Sequence, residues 1–210
     1  VHTGVTLQTV QEAADEAGFF FPLDLGGRGS ATLGGNISTN AGGNRVVRYG
    51  MTREMVLGLE AVLADGTIVN SMNTVIKNNT GYDLKQLFIG SEGTLGIVTR
   101  AVLRLRPRAQ SQNTALVAVA EFDKLIELLG RTDSALGGSM SSFEVMWNSF
   151  YLQVTQNGDR HRQPLPGNYP YYVIIESMGA DQEADDLRFG AAMEEMFTLG
   201  LVEDAVLAKS

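Results

Sequence analysis

The chain has 210 residues, of which 44% are hydrophobic, and this length and composition suit one large globular domain or two smaller ones. Its formal net charge of −8 disfavours binding to nucleic acid, which favours a basic surface. The absence of cysteine excludes disulfides, thiolate metal sites, a cysteine nucleophile and a cysteinyl link to a cofactor.

The first residues of the chain do not resemble a signal peptide. No apolar run approaches the ~20 residues that a membrane span requires, so no span is predicted. The first residue is valine rather than an initiator methionine, and we interpret the chain as an internal fragment of a longer protein.

The first half of the chain predicts helices and strands separated by glycine-rich loops. Thr6 is the expected N-cap of a helix over 7–17 that stops at Gly18. Asp65 and Gly66 lie between two apolar runs, which is typical of a hairpin. The further predictions are a short buried run at 19–23, a loop at 24–30, one helical turn near 35–41, strands at 55–63 and 68–69, a turn at 78–81, a helix at 82–88 and a strand at 97–106 that ends at Pro107.

Beyond Pro107 the glycine-rich loops largely stop, and strands alternate with helices. This alternation predicts an open α+β sandwich as a second domain. The last helix is amphipathic, with an apolar face that we expect to contain Leu187, Ala191, Met193, Met196 and Phe197. The predicted elements are a strand at 114–120, a helix at 122–129, an ambiguous segment at 143–147, a helix at 148–156, a loop at 157–170, a strand at 171–176 and a helix at 181–199.

Two runs, 33–44 and 90–96, place several glycines next to hydroxyl and amide side chains, outside any apolar periodicity. Glycine lets the main chain approach a bound group closely and adopt positive φ. Two such runs in one domain therefore predict main-chain amides gathered around a large ligand that carries phosphate.

Other sites are poorly supported. Gly27 and Gly29 resemble the start of a dinucleotide fingerprint, but the third glycine and the strand-to-helix context are missing, so a Rossmann fold is disfavoured. No Walker lysine follows a glycine run. His2 and His161 lack metal-ligand spacing, and His161 is expected to be a solvated loop residue. Ser91 has no histidine nearby in the sequence, so no catalytic side chain is assigned, a pattern that suits an enzyme whose cofactor does the chemistry.

Four arginines lie close together at the end of the first half: Arg100, Arg104, Arg106 and Arg108. The last three are expected on one face of a strand. The favoured interpretation is a solvated face at the exit of a domain, and the alternative is a docking patch for an acidic partner.

Several motifs together carry a family resemblance, namely 34–43, 48–50, 56–60, 63–66 and 77–97. In this order and spacing they resemble the FAD-binding domain of the D-2-hydroxyacid dehydrogenases in the vanillyl-alcohol-oxidase (PCMH-type) superfamily. That family includes the D-lactate and D-2-hydroxyglutarate dehydrogenases and the FAD subunit of glycolate oxidase. A weaker resemblance continues through 142–146 and 171–176, and is closest to the D-2-hydroxyglutarate branch.

The resemblance implies the fold class, the domains and the reaction. The class is α+β: a PCMH-type FAD-binding domain over 1–108, whose N-terminal part is missing, has a mixed or antiparallel sheet with flanking helices. An incomplete α+β substrate (cap) domain of the FAD-linked oxidase C-terminal type follows over 109–210. The implied reaction is oxidation of a D-2-hydroxy acid, of the D-2-hydroxyglutarate or D-lactate type, to the 2-oxo acid by hydride transfer to flavin N5.

Non-covalent FAD is the implied cofactor. By resemblance, residues 22–32 line its pocket, with Asp24 and Ser30 near phosphate and ribose; 39–42 lie against flavin and pyrophosphate; and 92–98 close the adenine and ribose side. The implied cofactor-binding residues are Pro22, Leu23, Asp24, Gly27, Gly29, Ser30, Gly34, Gly35, Thr39, Asn40, Ala41, Gly42, Gly43, Glu92, Gly93, Thr94, Leu95, Gly96, Ile97 and Val98.

The family's catalytic base, its substrate-binding arginine and divalent-metal ligands, such as those for zinc, are expected in a C-terminal segment outside this chain. The implied partners are a small 2-hydroxy acid, an electron acceptor (electron-transfer flavoprotein, quinone or cytochrome) and a second copy in a homodimer. The implied location is the cytoplasm, or the mitochondrial matrix in a eukaryote. The alternatives are an oxidase or alkylglycerone-phosphate-synthase-type enzyme of the same superfamily, and a non-catalytic flavin- or nucleotide-binding module.

Overall fold

The computed structural model describes residues 1–156 and 163–208, and the chain divides into two units, Val1–Arg108 and Ala109–Ser210. The expectation for His161 falls outside the described residues. Unit 1 contains helices α1 (Leu7–Glu16), α2 (Leu33–Ser38), α3 (Val46–Tyr49), α4 (Thr52–Met55) and α5 (Lys85–Phe88), and strands β1 (Phe19–Phe20), β2 (Val56–Val62), β3 (Ile68–Ser71), β4 (Ile97–Leu103) and β5 (Arg106–Pro107).

Helix α1 begins and ends where its sequence predicts. The Thr6 side chain accepts a hydrogen bond from the amide of Thr9, and Gly18 follows the helix with a φ of 78°. Its apolar face buries Leu7 and Val10 in the core of unit 1. The single turn expected near 35–41 forms two residues earlier as α2, because Thr32 caps it by accepting from the amide of Gly35.

The sheet of unit 1 has the order β3-β2-β4, and both pairings are antiparallel. The predicted hairpin is confirmed: Gly66 has a φ of 85°, and the Asp65 carboxylate accepts from the amide of Thr67 at 2.9 Å. The helix expected at 82–88 forms only as α5. The buried run expected at 19–23 is buried at Phe21, whereas Phe19 is exposed.

The strand predicted to run from 97 to 106 ends at Leu103, so this prediction was too long. Arg106 pairs instead with Phe20 in the short β1–β5 ladder. Arg104, Arg106 and Arg108 therefore do not share one face of a continuous strand, as was expected. Two residues, Arg104 and Leu105, separate the end of β4 from β5, which belongs to a different, two-stranded sheet.

The neighbouring arginines make separate local contacts. Arg100 donates to both carboxylate oxygens of Glu60, at 3.0 and 2.5 Å, and this hydrogen bonding holds the pKa of Glu60 below its usual value. The Arg106 guanidinium lies 6.0 Å from the ring centroid of Tyr49. These contacts show how two of the four arginines are used within unit 1.

Unit 2 is an antiparallel sheet of order β7-β8-β6-β9 with helices packed on it. The ambiguous segment at 143–147 belongs to a strand, and the last strand was not predicted. The predicted α+β class with antiparallel sheets is confirmed. The elements are β6 (Ser111–Val119), α6 (Phe122–Ala135), β7 (Met140–Trp147), α7 (Asn148–Gln156), β8 (Tyr171–Gly179), α8 (Gln182–Thr198) and β9 (Asp204–Leu207).

Helix α8 buries a different apolar face from the predicted one. Its buried residues are Phe189, Ala192, Met193 and Met196, at the spacing i, i+3, i+4 and i+7. Met193 and Met196 were expected there, but Leu187, Ala191 and Phe197 are exposed, so that part of the prediction was wrong. The face is set by the position of Phe189 over the sheet rather than by the total number of apolar residues.

The other face of the unit 2 sheet carries a small aromatic cluster beneath α7. The rings of Tyr151 and Tyr172 stack with centroids 3.7 Å apart. The Tyr151 hydroxyl donates to the carbonyl of Leu165 at 2.7 Å and accepts from the amide of Leu165 at 2.9 Å. Burial raises the pKa of Tyr151, which keeps the hydroxyl protonated and able to donate.

Tyr151→Phe removes this hydroxyl and leaves the amide and carbonyl of Leu165 without their buried partner. We expect the free energy of unfolding, measured in urea, to fall by about 1–3 kcal/mol. Tyr82→Phe is the matched control, because Tyr82 is 81% exposed, and its effect should stay below ~0.5 kcal/mol. Equal effects of the two substitutions would contradict the assigned role of the Tyr151 hydroxyl.

Candidate functional site

The two glycine runs of the sequence lie side by side in unit 1. The amide of Gly90 donates to the carbonyl of Ile37 at 3.0 Å, and the amide of Glu92 donates to the carbonyl of Ser38 at 2.8 Å. A Cβ atom added at Gly90 would lie only 3.3 Å from the Cβ of Asn40. Segments 33–44 and 90–96, here called the paired glycine runs, thus form one continuous surface.

Residues 39–43 are fixed to α4 and to the chain around Asp24. Thr52 donates to the carbonyl of Ala41 through both its amide and its hydroxyl, at 2.9 and 2.7 Å. Gly43 has a φ of 136°, and a Cβ atom there would overlap the carbonyl oxygen of Asp24. Gly43 is therefore needed for a close approach of two backbone segments.

The structure brings Asp24 against the end of the first run. The amide of Asn44 donates to the carbonyl of Asp24 at 3.2 Å, and the Asp24 carboxylate forms an ion pair with Arg45 at 3.6 Å. Pro22 and Leu23 are buried just before it.

Gly27, Gly29 and Ser30 form a separate turn whose hydrogen bonds run within the turn and to helix α1. The Ser30 hydroxyl donates to the carbonyl of Gly27 at 3.2 Å, and the amide of Gln8 donates to the carbonyl of Arg28 at 3.0 Å. This part of the predicted site is placed by α1 and not by direct contact with the paired glycine runs.

Most amides at the start of α2 already have protein acceptors. The amides of Leu33 and Gly34 donate to the carbonyls of Val5 and Thr3 at 2.9 and 2.8 Å, and the amide of Gly35 donates to the Thr32 hydroxyl. This helix start does not offer those amides to a phosphate group. The expected gathering of main-chain donors is therefore limited to other positions in the runs.

The remaining donors lie at the loop positions. Within residues 1–156 and 163–208, the amides of Gly42, Gly43 and Gly93 have no protein acceptor. The side-chain amide nitrogen of Asn36, a buried residue of α2, is likewise without a partner in that part of the chain. Only the Asn36 side chain is buried among these donors, and unpaired buried donors are rare in folded proteins, so it fits a polar ligand or ordered water. Gly42 and Gly43 are half-buried and Gly93 is exposed, so their amides can donate to solvent or to a ligand.

An open cavity of about 560 Å³ lies where α2 meets the second glycine run. Six of its lining residues were predicted: Gly34, Gly35, Gly93, Gly96, Ile97 and Val98. Thr32, at the end of the predicted pocket segment 22–32, also lines it, whereas sequence reasoning missed the others: His2, Thr3, Gly4, Ser38 and Thr99. A cavity of this size could hold part of a dinucleotide-sized ligand.

Thr3 joins the parts of this cavity. Its hydroxyl donates to the carbonyl of Val98 at 2.5 Å, its amide donates to the carbonyl of Thr99 at 3.0 Å, and its carbonyl accepts from the amide of Gly34. No local pattern marks Thr3 in the sequence, because its partners lie about 30 and 95 residues away.

Gly96 has a structural role as well as a place in the cavity. A Cβ atom there would lie 2.7 Å from the carbonyl oxygen of Val62, so glycine is required where the chain enters β4 beside β2. Thr94 and Leu95 are exposed on the turn before it, and the Thr94 hydroxyl donates to the carbonyl of Ser91 at 2.6 Å.

An ion pair between the buried Lys85 and the partly exposed Asp83 fixes the segment before the second run. The ammonium group of Lys85, on α5, is paired with the carboxylate of Asp83, and Gln86 donates to the same carboxylate at 3.0 Å. Partial burial raises the pKa of Asp83, but the hydrogen bonds from Lys85 and Gln86 outweigh it, and the pKa lies below its usual value. The carboxylate is thus held in its charged form.

No group of three or more His, Asp or Glu side chains among residues 1–156 and 163–208 is arranged to hold a metal ion. None of the described helices is long and apolar enough to cross a lipid bilayer.

Comparison with known proteins finds similarity to an FAD binding domain and to proteins named as dehydrogenases. Residues 1–71 match the family described as an FAD binding domain. D-2-hydroxyglutarate dehydrogenase, mitochondrial, of Arabidopsis thaliana is 41% identical over 98% of this chain and 37% of its own length. D-2-hydroxyglutarate dehydrogenase of Xanthomonas citri is 40% identical over 100% of this chain and 43% of its own length. A Schizosaccharomyces pombe protein provisionally named a mitochondrial D-lactate dehydrogenase is 39% identical over 99% of this chain and 39% of its own length.

The chain thus spans about two fifths of the length of the curated relatives it matches. A solved structure of alkyldihydroxyacetonephosphate synthase superposes with a TM-score of 0.77 and 17% identity, covering 100% of this chain and 40% of that one. At this identity the likeness concerns the fold alone. Together with the family match, it confirms the expected PCMH-type FAD-binding fold.

Gly43→Ala tests the close approach between the first glycine run and Asp24. The added methyl group would overlap the Asp24 carbonyl at a positive φ, so we expect the free energy of unfolding to fall by about 1–3 kcal/mol. Gly26→Ala is the control, because a Cβ atom there meets no neighbour within 4 Å, and its effect should be below ~0.5 kcal/mol. Urea unfolding of both variants is the measurement, and an unchanged Gly43→Ala variant would refute the contact.

Proposed function

We propose that this chain is part of an FAD-dependent dehydrogenase that oxidises a D-2-hydroxy acid, because residues 1–71 belong to the FAD binding domain family and the whole chain is similar to proteins named D-2-hydroxyglutarate dehydrogenase. The observation that carries the proposal is the contact between the paired glycine runs, which gives a single surface with unpaired main-chain donors. Unit 1 is proposed as the FAD-binding domain and unit 2 as the start of the substrate domain.

The residues of unit 1 fit the chemistry of FAD. The pyrophosphate of FAD is an anion that accepts hydrogen bonds, and the amides of Gly42, Gly43 and Gly93 are donors without a protein acceptor among the described residues. Small side chains and glycines allow the main chain to approach a flat ring closely. Binding is proposed to be non-covalent, since the chain has no cysteine to form a cysteinyl link.

We propose three roles within the predicted set. Residues 39–42 would lie against the flavin ring and pyrophosphate, 92–98 against adenine and ribose, and Asp24 near the phosphate and ribose portion. The structure supports the first two roles by placing their segments side by side, and supports the third by placing Asp24 against Gly43. Ser30 belongs to a turn held by α1, so its proposed role is to shape the pocket wall.

FAD, when bound, supplies a hydride acceptor for the oxidation of an alcohol to a ketone. The described residues would bind and orient it, and no described side chain is assigned as the catalytic base. The base, the substrate-binding arginine and a divalent metal such as zinc are proposed to belong to other parts of the longer protein.

The partners of the reaction are also proposals. The substrate is a small D-2-hydroxy acid of the D-2-hydroxyglutarate or D-lactate type. The reoxidant is an electron-transfer flavoprotein, a quinone or a cytochrome, and the enzyme is proposed to act as a homodimer. Since several relatives are named mitochondrial, the proposed location in a eukaryote is the mitochondrial matrix, and in a bacterium the cytoplasm.

The visible absorption spectrum of the natural full-length protein tests this proposal. We expect flavin bands in the purified protein, release of unmodified FAD on denaturation, and bleaching of the bands when D-2-hydroxyglutarate or D-lactate is added without oxygen. L-2-hydroxyglutarate is the control and should leave the bands unchanged. Bands that persist with every D-2-hydroxy acid would contradict the dehydrogenase, and a protein that takes up no FAD would contradict the flavoprotein.

A further inference from the structure

We infer that Arg53 is a positioning residue that locks the paired glycine runs into the geometry that binds FAD. The inference rests on the proposed function, since it assigns a role to a residue within the proposed cofactor site. Arg53 belongs to α4, outside both glycine runs, and sequence reasoning did not single it out.

Four hydrogen bonds from Arg53 reach the first run, helix α5 and the residue just before the second run. Its amide donates to the side-chain oxygen of Asn40 at 2.9 Å. One terminal nitrogen of the guanidinium donates to the carbonyl and to the side-chain oxygen of Gln86, at 2.9 and 2.6 Å. The other terminal nitrogen donates to the carbonyl of Ile89 at 2.5 Å. The residue therefore connects the first run to the chain immediately before Gly90.

Arg53 holds the first run at a point where its backbone is unusual. Asn40 has a φ of 46°, which is uncommon for a residue other than glycine. The adjacent Thr52 holds the next residue, Ala41, through two hydrogen bonds. Successive residues of α4 thus fix Asn40 and Ala41, the part of the loop proposed to face the flavin.

The acceptors on the other side are themselves rigid. Gln86 donates to the Asp83 carboxylate, which is also paired with the buried Lys85. Ile89 is buried in the core of unit 1. Because both ends of the contact are anchored, the Arg53 side chain transmits the position of α5 to the loop at 39–43.

Arginine is suited to this task by the shape of its side chain. The two terminal nitrogens of the planar guanidinium form a fork that reaches the Gln86 carbonyl, the Gln86 side-chain oxygen and the Ile89 carbonyl at once. A lysine ammonium has the same charge but lacks this fork. All four acceptors of Arg53 are neutral oxygens, so the geometry of the contact, rather than neutralisation of a carboxylate, explains its placement.

Three variants of the natural full-length protein test this role. Arg53→Lys keeps the charge and loses the fork, and Arg53→Gln loses both. Arg108→Lys is the matched control, because it changes an exposed arginine of unit 1 that pairs with Asp15 on α1. The measurements are the Kd of the apoprotein for added FAD, the melting temperature of the apoprotein, and the visible circular dichroism of bound FAD.

We expect both Arg53 variants to raise the Kd for FAD by about 10-fold or more, since each loses hydrogen bonds to a charged donor. We also expect the visible circular dichroism of the flavin that still binds to change, because its surroundings shift. Arg108→Lys should match the wild type in both readouts. Gln86→Ala, which removes one of the four acceptors, should raise the Kd less and serves if the Arg53 variants fail to fold.

Three results would overturn the inference. The first is a lower melting temperature of Arg53→Lys with an unchanged Kd and flavin signal, which would show a purely structural role. The second is a wild-type Kd in Arg53→Lys but not in Arg53→Gln, which would show that charge alone matters. The third is a Gln86→Ala variant that binds FAD as the wild type does. A wild-type protein that takes up no FAD would instead overturn the proposed function, and this inference with it.

Discussion

Two main-chain hydrogen bonds, from Gly90 to Ile37 and from Glu92 to Ser38, are the contact on which the proposed site depends. They join segments about 50 residues apart in sequence and turn two loops into one surface. Main-chain hydrogen bonds of this kind do not use side-chain groups. Glycine and small residues contribute by letting the two backbone segments come close together. Three side chains stabilise that surface through hydrogen bonds to main-chain carbonyls: Thr3 to Val98, Thr52 to Ala41 and Arg53 to Ile89.

Glycine serves two purposes in this surface. Gly43 and Gly96 allow backbone to pass close to backbone, against Asp24 and Val62 respectively. At Gly93, by contrast, an added Cβ atom would meet nothing within 4 Å, and its positive φ turns the chain beside the cavity. Substitution of Gly43 or Gly96 would therefore destabilise the fold. Substitution of Gly93 would alter the binding surface and leave the core intact.

Local chemistry in the sequence predicted much of the fold. The Thr6 cap, the Asp65-Gly66 hairpin and strands β6 and β8 of unit 2 follow from patterns within a few residues. The misses arise from distant partners. The strand expected to reach Arg106 ends early because β5 pairs with β1, almost 90 residues away, and Leu187 is exposed because packing against the sheet selects the face around Phe189.

In the candidate site, too, local sequence patterns predict some residues, and contacts with distant residues determine the others. The two runs could be found from composition, but Thr3 and Arg53 could not, since their acceptors are mostly main-chain carbonyls that no sequence motif marks.

Hydrogen–deuterium exchange of the natural full-length protein, with and without FAD, tests the central claim most directly. The account predicts slower exchange on FAD binding in both peptides, 39–43 and 90–96. Protection confined to one run, or to neither, would contradict a single binding surface made by both.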